Sequence, residues 1–331
     1  MRKLDVQFQP SFDEIRDRIS DLVSRLEVRD FDRELWRRKV MQDYAIRRVN
    51  ILAPGKTGFI CADSSFNLQN IRYHALWSIH CISIYGLFNG MNNEDQLVGY
   101  GSVPYAGLLY DSSVDVGIFN PYRLIDQQVN YLRIAREYAS IVRNYAVVRD
   151  SGLQVDVALV DGSLSTNLEH LSLKADFSSR QAALDAQEQL LGLPKVVSMA
   201  EDSHASDVAH RMGLEMSNLM LFNLVLEEGE YVVDAGRFNV CYLKLPGKNL
   251  AYLGGRSSPV TVRWEFSYPR FEEDLDAMAS IWLQEDDLLH SQLYPLRIAD
   301  YLTRKIKTSG LLDEAISDVR PELEFRSLRE S

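Results

Sequence analysis

The stretch VDVALV (155–160) constrains the fold most, because apart from Asp156 it is apolar on both alternating faces. A strand buried on both faces belongs inside a sheet that helices cover on each side. The run stops on Asp161, followed by Gly162 and Ser163. Asp-Gly is a strong two-residue hairpin signal. The segment after it, LSTNLEHLSLKADF (164–177), does not mirror a second strand in matched register, so Asp161 is predicted at a strand tip.

The remaining patterns extend this to a mixed α/β fold. Two charged amphipathic helices are predicted over 11 to about 46, opened by Pro10-Ser11 and divided near Val28–Asp30. Strands follow at 57–62, 75–88 and near 97–110. Asn120-Pro121 introduces a helix over about 122–148, with Leu132, Ala135, Ala139, Val142 and Ala146 as its buried stripe. After VDVALV come a helix (178–191), a strand (195–199) and a helix following Ser203. The segments 219–227, 230–245 and 259–268 read as consecutive strands. Helices at 272–289 and from Pro295 onward close the chain. The expected architecture is a mixed sheet flanked by helices, with helical additions at both ends. It divides into a helical arm for dimer or partner contacts (1–48), a core (49–310) and a tail (311–331).

Composition excludes several classes. No apolar run approaches the roughly 20 residues that span a bilayer. The N-terminal stretch lacks a signal peptide's apolar core, and the three scattered cysteines read as buried free thiols; both predict a cytoplasmic protein. There is no GxxxxGK[ST], hence no predicted ATP hydrolysis, and the six histidines lack zinc-site spacing. LGGRSSP (253–259) reads as a turn. With a net charge of −11, any site for a polyanion must be local. Two stretches qualify: RRKVMQDYAIRR (37–48), and the last helix with Arg297, Arg304, Lys305 and Lys307. Each serves equally well as a solvated helix face.

The acids carry the chemistry. FICADSS and ALVDGS each end an apolar run on a carboxylate, Asp63 and Asp161, followed by small residues. Taken singly, each is more often a cap or turn residue. As a pair at adjacent strand ends they suit hard cations such as Mg²⁺ or Mn²⁺, which want oxygen ligands. Ser64, Ser65, Gly162 and Ser163 would allow backbone and a phosphate to come close. Glu137 sits at the edge of the long helix's apolar stripe, near Ile134 and Ile141. Asp300 stands above Leu296 in the final helix and is also positioned to pair with Arg304 at i+4. Asp63, Glu137, Asp161 and Asp300, in that order and on those element types, resemble the acidic tetrad of the ribonuclease H-like nuclease fold. Such sites bind two metals about 3.5–4 Å apart around a scissile phosphate.

Three motifs strengthen this into a resemblance to the NurA family, the nuclease partners of HerA-type hexameric DNA translocases. They are ADSS (62–65), VDGS (160–163) and YPLRIAD (294–300), with the helix LRIAREYAS (132–140) between the first two. The resemblance implies an RNase H-like core and a homodimeric ring around a central channel. It also implies a metal-dependent deoxyribonuclease, usually with Mn²⁺, that resects DNA ends beside the ATPase in repair or antiviral defence. The activity expected is 5′–3′ exonuclease and single-strand endonuclease. Carried over by position, Asp63, Glu137 and Asp161 become ligands of about two ions, joined by Asp300, with Tyr294 near the site. Ser64, Ser163, Arg297 and Arg304 become DNA contacts.

The chain departs from the family at four places. Ser64 stands for a common Gly, Gln292 for a Tyr, Asp300 for a His, and Glu201 lies where a Lys is frequent. The missing Lys leaves a second reading open, a catalytically weak ring that clamps DNA for the ATPase. A hydrolase of small phosphorylated substrates is a third reading, weakly opposed by the Arg-rich arm.

Overall fold

The computed structural model describes residues 31–51, 55–71, 74–89, 105–119, 125–165, 178–201, 203–250, 255–285 and 292–307. The first predicted N-terminal helix, the start of the 97–110 segment and the 311–331 tail lie outside them. The chain forms two compact units, Met1–Asp43 and Tyr44–Ser331. In the first, helix α1 (Arg33–Asp43) starts where Asp32 Oδ1 accepts the Leu35 N–H at 3.0 Å, an N-terminal cap. Lys39 lies over the Trp36 ring at 3.9 Å.

The second unit contains the sheet. Its elements in chain order are β1 (Arg47–Arg48), β2 (Lys56–Ile71), β3 (His74–Asn89), β4 (Tyr105–Phe119), α2 (Ile125–Asp150), β5 (Val157–Asp161), α3 (Ser178–Leu191) and β6 (Val196–Ala200). They continue as α4 (Asp207–Arg211), α5 (Asn218–Val225), β7 (Glu230–Ala235), β8 (Asn239–Leu245), β9 (Asn249–Leu250), β10 (Gly255–Arg256), β11 (Val260–Phe266), α6 (Glu272–Gln284) and α7 (Tyr294–Lys307). Among the described residues nine strands form one sheet in the order β1-β7-β8-β11-β6-β5-β2-β3-β4, and β9 pairs with β10 separately. Strands β2, β3 and β4 form an antiparallel meander, while β5 runs parallel to both β2 and β6. These five strands form the RNase H-like core, and β11, β8, β7 and β1 extend it by antiparallel pairing.

The doubly apolar strand is explained by this topology. Leu159 and Val157 enter a core with α6 and α7 on one face, while Ala158 and Val160 enter a core with α2 and α3 on the other. Parallel pairing on both sides leaves no hairpin after Asp161. Asp156, the one polar exception, accepts the Gly58 N–H at 2.7 Å and the Gln154 Nε2–H at 2.7 Å. Cys61, Cys81 and Cys241 are buried free thiols. Among the described residues no helix is long and apolar enough to cross a membrane.

Three sequence expectations are corrected. Strand β2 does not end at Ala62 but continues to Ile71, because β3 pairs with it along its whole length. Phe66 and Leu68 then pack with Trp77, Ile79 and Val129. The run 219–227 contains helix α5, whose first turn is capped by Ser217 accepting the Met220 N–H at 3.2 Å. A short apolar run does not by itself distinguish strand from helix. In α2 the buried stripe includes the expected Ala135 but is carried by Ile134, Tyr138, Ile141, Tyr145 and Val148, with Val142 at its edge, while Ala139 faces solvent.

Gly58 marks the tightest backbone approach. A Cβ there would run into the backbone carbonyl of Gln154, whereas one on Gly55 meets nothing within 4 Å. Gly58→Ala is expected to cost about 2–3 kcal/mol and Gly55→Ala to be near neutral. Thermal melting followed by circular dichroism checks the contrast.

Candidate active site

The parallel ladder between β2 and β5 ends at Ala62 opposite Val160, so Asp63 and Asp161 each stand one residue beyond the same rung. Strand period puts Asp63 on the face of Phe59 and Cys61, and Asp161 on the face of Val157 and Leu159. Both carboxylates therefore face the α6–α7 side. Gly162 adopts φ +79 and donates its N–H to Met199 O at 2.9 Å, which bends the chain away directly after Asp161.

Helix α7 supplies the partners on that side. Thr303 is fully buried, and its hydroxyl contacts Asp63 Oδ2 as well as the Asp300 carbonyl at 2.9 Å. A hydroxyl has one proton, and the carboxylate is the stronger acceptor. Gln292, just before α7, donates Nε2–H to Asp161 Oδ1 at 2.9 Å. Asp300 adds negative charge near both Asp63 and Asp161, and it takes the Arg304 Nε–H at 2.6 Å, the expected i+4 pair.

Glu137 approaches from α2 on the opposite face. It is buried, and its Oε2 accepts the Ser64 hydroxyl at 2.9 Å and an Arg133 Nη1–H at 3.2 Å. The same Arg133 nitrogen reaches Ser64 O at 3.3 Å, tying the helix to the strand residue next to Asp63.

Burial and like charge dominate the electrostatics. Burial, then the charges of Asp63, Asp300 and Glu201, push Asp161 up from 3.8 to about 6. Burial also raises Glu137 to about 8, against the pull of Arg133, with Asp63 and Asp161 adding to the rise. Burial raises Asp63 as well, countered first by the Thr303 hydrogen bond. Among the described residues no three acidic, histidine or cysteine side chains are drawn into a finished ligand shell. Each carboxylate is turned instead to its own donor. The donor set still fits a hard divalent cation: it is made of carboxylate oxygens, and its surplus negative charge is only partly offset by Arg133 and Arg304.

The other sequence candidates have defined places. Ser163 is buried and donates to Glu265 Oε1 at 2.5 Å. The Tyr294 N–H donates to Glu285 Oε1 at 2.9 Å, and Arg297 pairs with Glu285 Oε2 at 3.3 Å, its side chain only 13% exposed. The Arg304 side chain is 76% exposed and pairs with Asp300. In the other basic stretch, Arg47 pairs with Glu272 and Arg48 with Glu227. Sequence reading missed Thr303, Arg133 and Glu265, and treated Gln292 only as a departure. Thr303 had a signal: it continues the buried α7 stripe of Leu296 and Ala299.

An RNase H-like sheet with carboxylates gathered where its parallel ladder ends defines the class of this protein. Residues 58–301 match the NurA domain, and the chain belongs to that family of nucleases. The NurA nuclease from Sulfolobus solfataricus is 15% identical with a TM-score of 0.57, covering 95% of this chain and 97% of its own. A NurA structure with manganese is 13% identical with a TM-score of 0.52, covering 93% and 98%. One bound to dAMP and manganese is 10% identical with a TM-score of 0.50, covering 92% and 96%. No curated protein sequence matches the chain.

The raised carboxylates predict a pH dependence. Asp161 holds a proton more tightly folded than unfolded, so its contribution to stability is complete below about pH 4 and is lost as pH rises through about 6. In EDTA, Asp161→Asn is expected to melt like wild type at about pH 3.5. At pH 8 it should be more stable than wild type, by on the order of 2 kcal/mol. Melting curves at the two pH values check this; equal curves at pH 8 contradict it.

Proposed function

We propose that this chain is a metal-dependent deoxyribonuclease. The observation carrying this is the gathering of Asp63, Asp161 and Asp300 near Glu137 at one sheet end, Glu137 buried and the three aspartates half-buried, with their charges repelling one another. Buried like charges are costly, and a divalent cation is the ligand that offsets them. The two NurA structures with manganese, one of them also bound to dAMP, support the same assignment. The four acids would hold the metal, Mn²⁺ or Mg²⁺, as a pair of ions. Bound there, it would neutralise charge on a scissile phosphate and act as a Lewis acid.

The chain's own groups do the rest. Thr303 and Gln292 orient Asp63 and Asp161 through hydrogen bonds. Arg133 balances Glu137 and stands, about a quarter exposed, beside the strand that carries Asp63. Arg304 reaches solvent next to Asp300, positioned for a DNA backbone. Ser64 and Ser163 shape the approach by holding Glu137 and the bend after Asp161. The working form we propose is a cytoplasmic homodimer acting beside a HerA-type hexameric ATPase, in DNA end resection, repair or defence. Its digestion would be 5′–3′ on ends and endonucleolytic on single strands, with the 1–48 arm making partner contacts.

Glu201 favours a second reading. It follows β6 and adds negative charge at Asp161, where the family frequently has a Lys. A weaker catalyst that mainly clamps DNA for the ATPase would fit that charge. Digestion of 5′-labelled single-stranded DNA with Mn²⁺, Mg²⁺ or EDTA separates the two. Nuclease action predicts metal-dependent cleavage that falls at least 100-fold in Asp161→Ala, as roughly expected when a metal ligand is lost. No cleavage with the ATPase present, from a folded protein, would sink the nuclease reading.

A further inference from the structure

Behind Asp161 the sheet carries a buried ion pair that no ligand role uses. Strand β11 runs antiparallel to β6, with Arg263 opposite Ala200 and Glu265 opposite Ser198. Val262, Trp264 and Phe266 enter the α6–α7 core, so Arg263 and Glu265 point to the face turned away from Asp161. Their side chains are 5% and 1% exposed, with Arg263 Nη2 to Glu265 Oε1 at 2.7 Å.

This pair grips two chain segments at once. Glu265 Oε1 accepts the Ser163 hydroxyl at 2.5 Å and the Ser165 hydroxyl at 3.1 Å, and Oε2 accepts the Ser165 N–H at 2.9 Å. Arg263 donates Nη2–H to Ser165 Oγ at 2.8 Å and Nη1–H to Ser203 Oγ at 3.0 Å. Ser163 and Ser165 lie just after Asp161, and Ser203 lies just after Glu201. A single buried pair thus anchors the exits of both β5 and β6, the strands that end at the acidic site. Apolar residues of similar size would fill this volume at less desolvation cost. They would not accept the Ser165 N–H or hold two hydroxyls, and that is the function the pair retains.

We propose that Glu265, held by Arg263, is a positioning residue that fixes the bend after Asp161 and so aims the Asp161 carboxylate at the metal. The proposal rests on the reading of Asp161 as a metal ligand. Outer partners of metal ligands typically govern metal affinity by about 10–100-fold.

The test measures the Mn²⁺ dissociation constant of the full-length protein by titration calorimetry, alongside its melting temperature. The variants are Glu265→Gln, the double change Arg263→Met with Glu265→Leu, and Asp161→Asn. The double variant removes both charges together, so it folds without an unpaired buried ion. Ser165→Ala, which leaves the pair intact, serves as the mildest variant. The expected result is a melting temperature near wild type for the double variant with Mn²⁺ binding weakened about tenfold or more, and a smaller loss for Ser165→Ala. Stable double and Ser165→Ala variants with wild-type Mn²⁺ affinity would overturn the positioning role. Unchanged affinity in Asp161→Asn would instead remove the ligand reading on which the proposal stands.

Discussion

The parallel ladder joining Phe59–Ala62 to Val157–Val160 is the constraint on which the rest of this molecule depends. Parallel strands need a crossover, and here α2 supplies it, packing Ile134, Tyr138 and Ile141 beneath the two strands. The crossover carries Glu137 toward the strand ends as a by-product of burying its neighbours. Because side chains alternate along a strand, one register aligns Asp63 with Asp161 and keeps Cys61 and Leu159 in the core. A slip of one residue in β5 would send Asp161 to the α2–α3 face and leave Asp63 without its neighbour.

Assembling acids this way opposes folding. Glu137 is pushed to about 8 and Asp161 to about 6, which marks sites where the folded state tolerates negative charge poorly. Donors are correspondingly concentrated there: Thr303 for Asp63, Gln292 for Asp161, Ser64 and Arg133 for Glu137. These come from α7 and the segment just before it, from α2 and from β2, so the site also cross-links those elements. Polar groups do similar work behind the sheet, where Glu265 and both terminal nitrogens of Arg263 are engaged by one another and by serines.

Legibility tracked the range of the interactions involved. VDVALV was readable because burial on two faces leaves a signature within six residues. Asp161 at a strand tip followed from it, and the i+4 pair of Asp300 with Arg304 was readable from helical spacing alone. The continuation of β2 through SSFNLQNI was not readable, since its strand character comes from pairing with β3. The helix at 218–225 was masked by an apolar run that suits either element. The stripe of α2 was read correctly at Ala135 and wrongly at Ala139, because the larger Tyr138, Ile141 and Tyr145 bury more surface and decide the facing.

The sequence by itself determined a mixed α/β chain, two apolar runs ending in acids, and a set of short motifs resembling the NurA family. These are local properties, set by period, chain chemistry and neighbouring residues. Only the tertiary structure decided that Glu137 meets Ser64 across 73 positions, that Thr303 touches Asp63 across 240, and that Ser163 turns to Glu265 rather than outward. Those choices follow from sheet register and helix docking. They are fixed by which buried surfaces fit together, information that no segment of the chain contains alone.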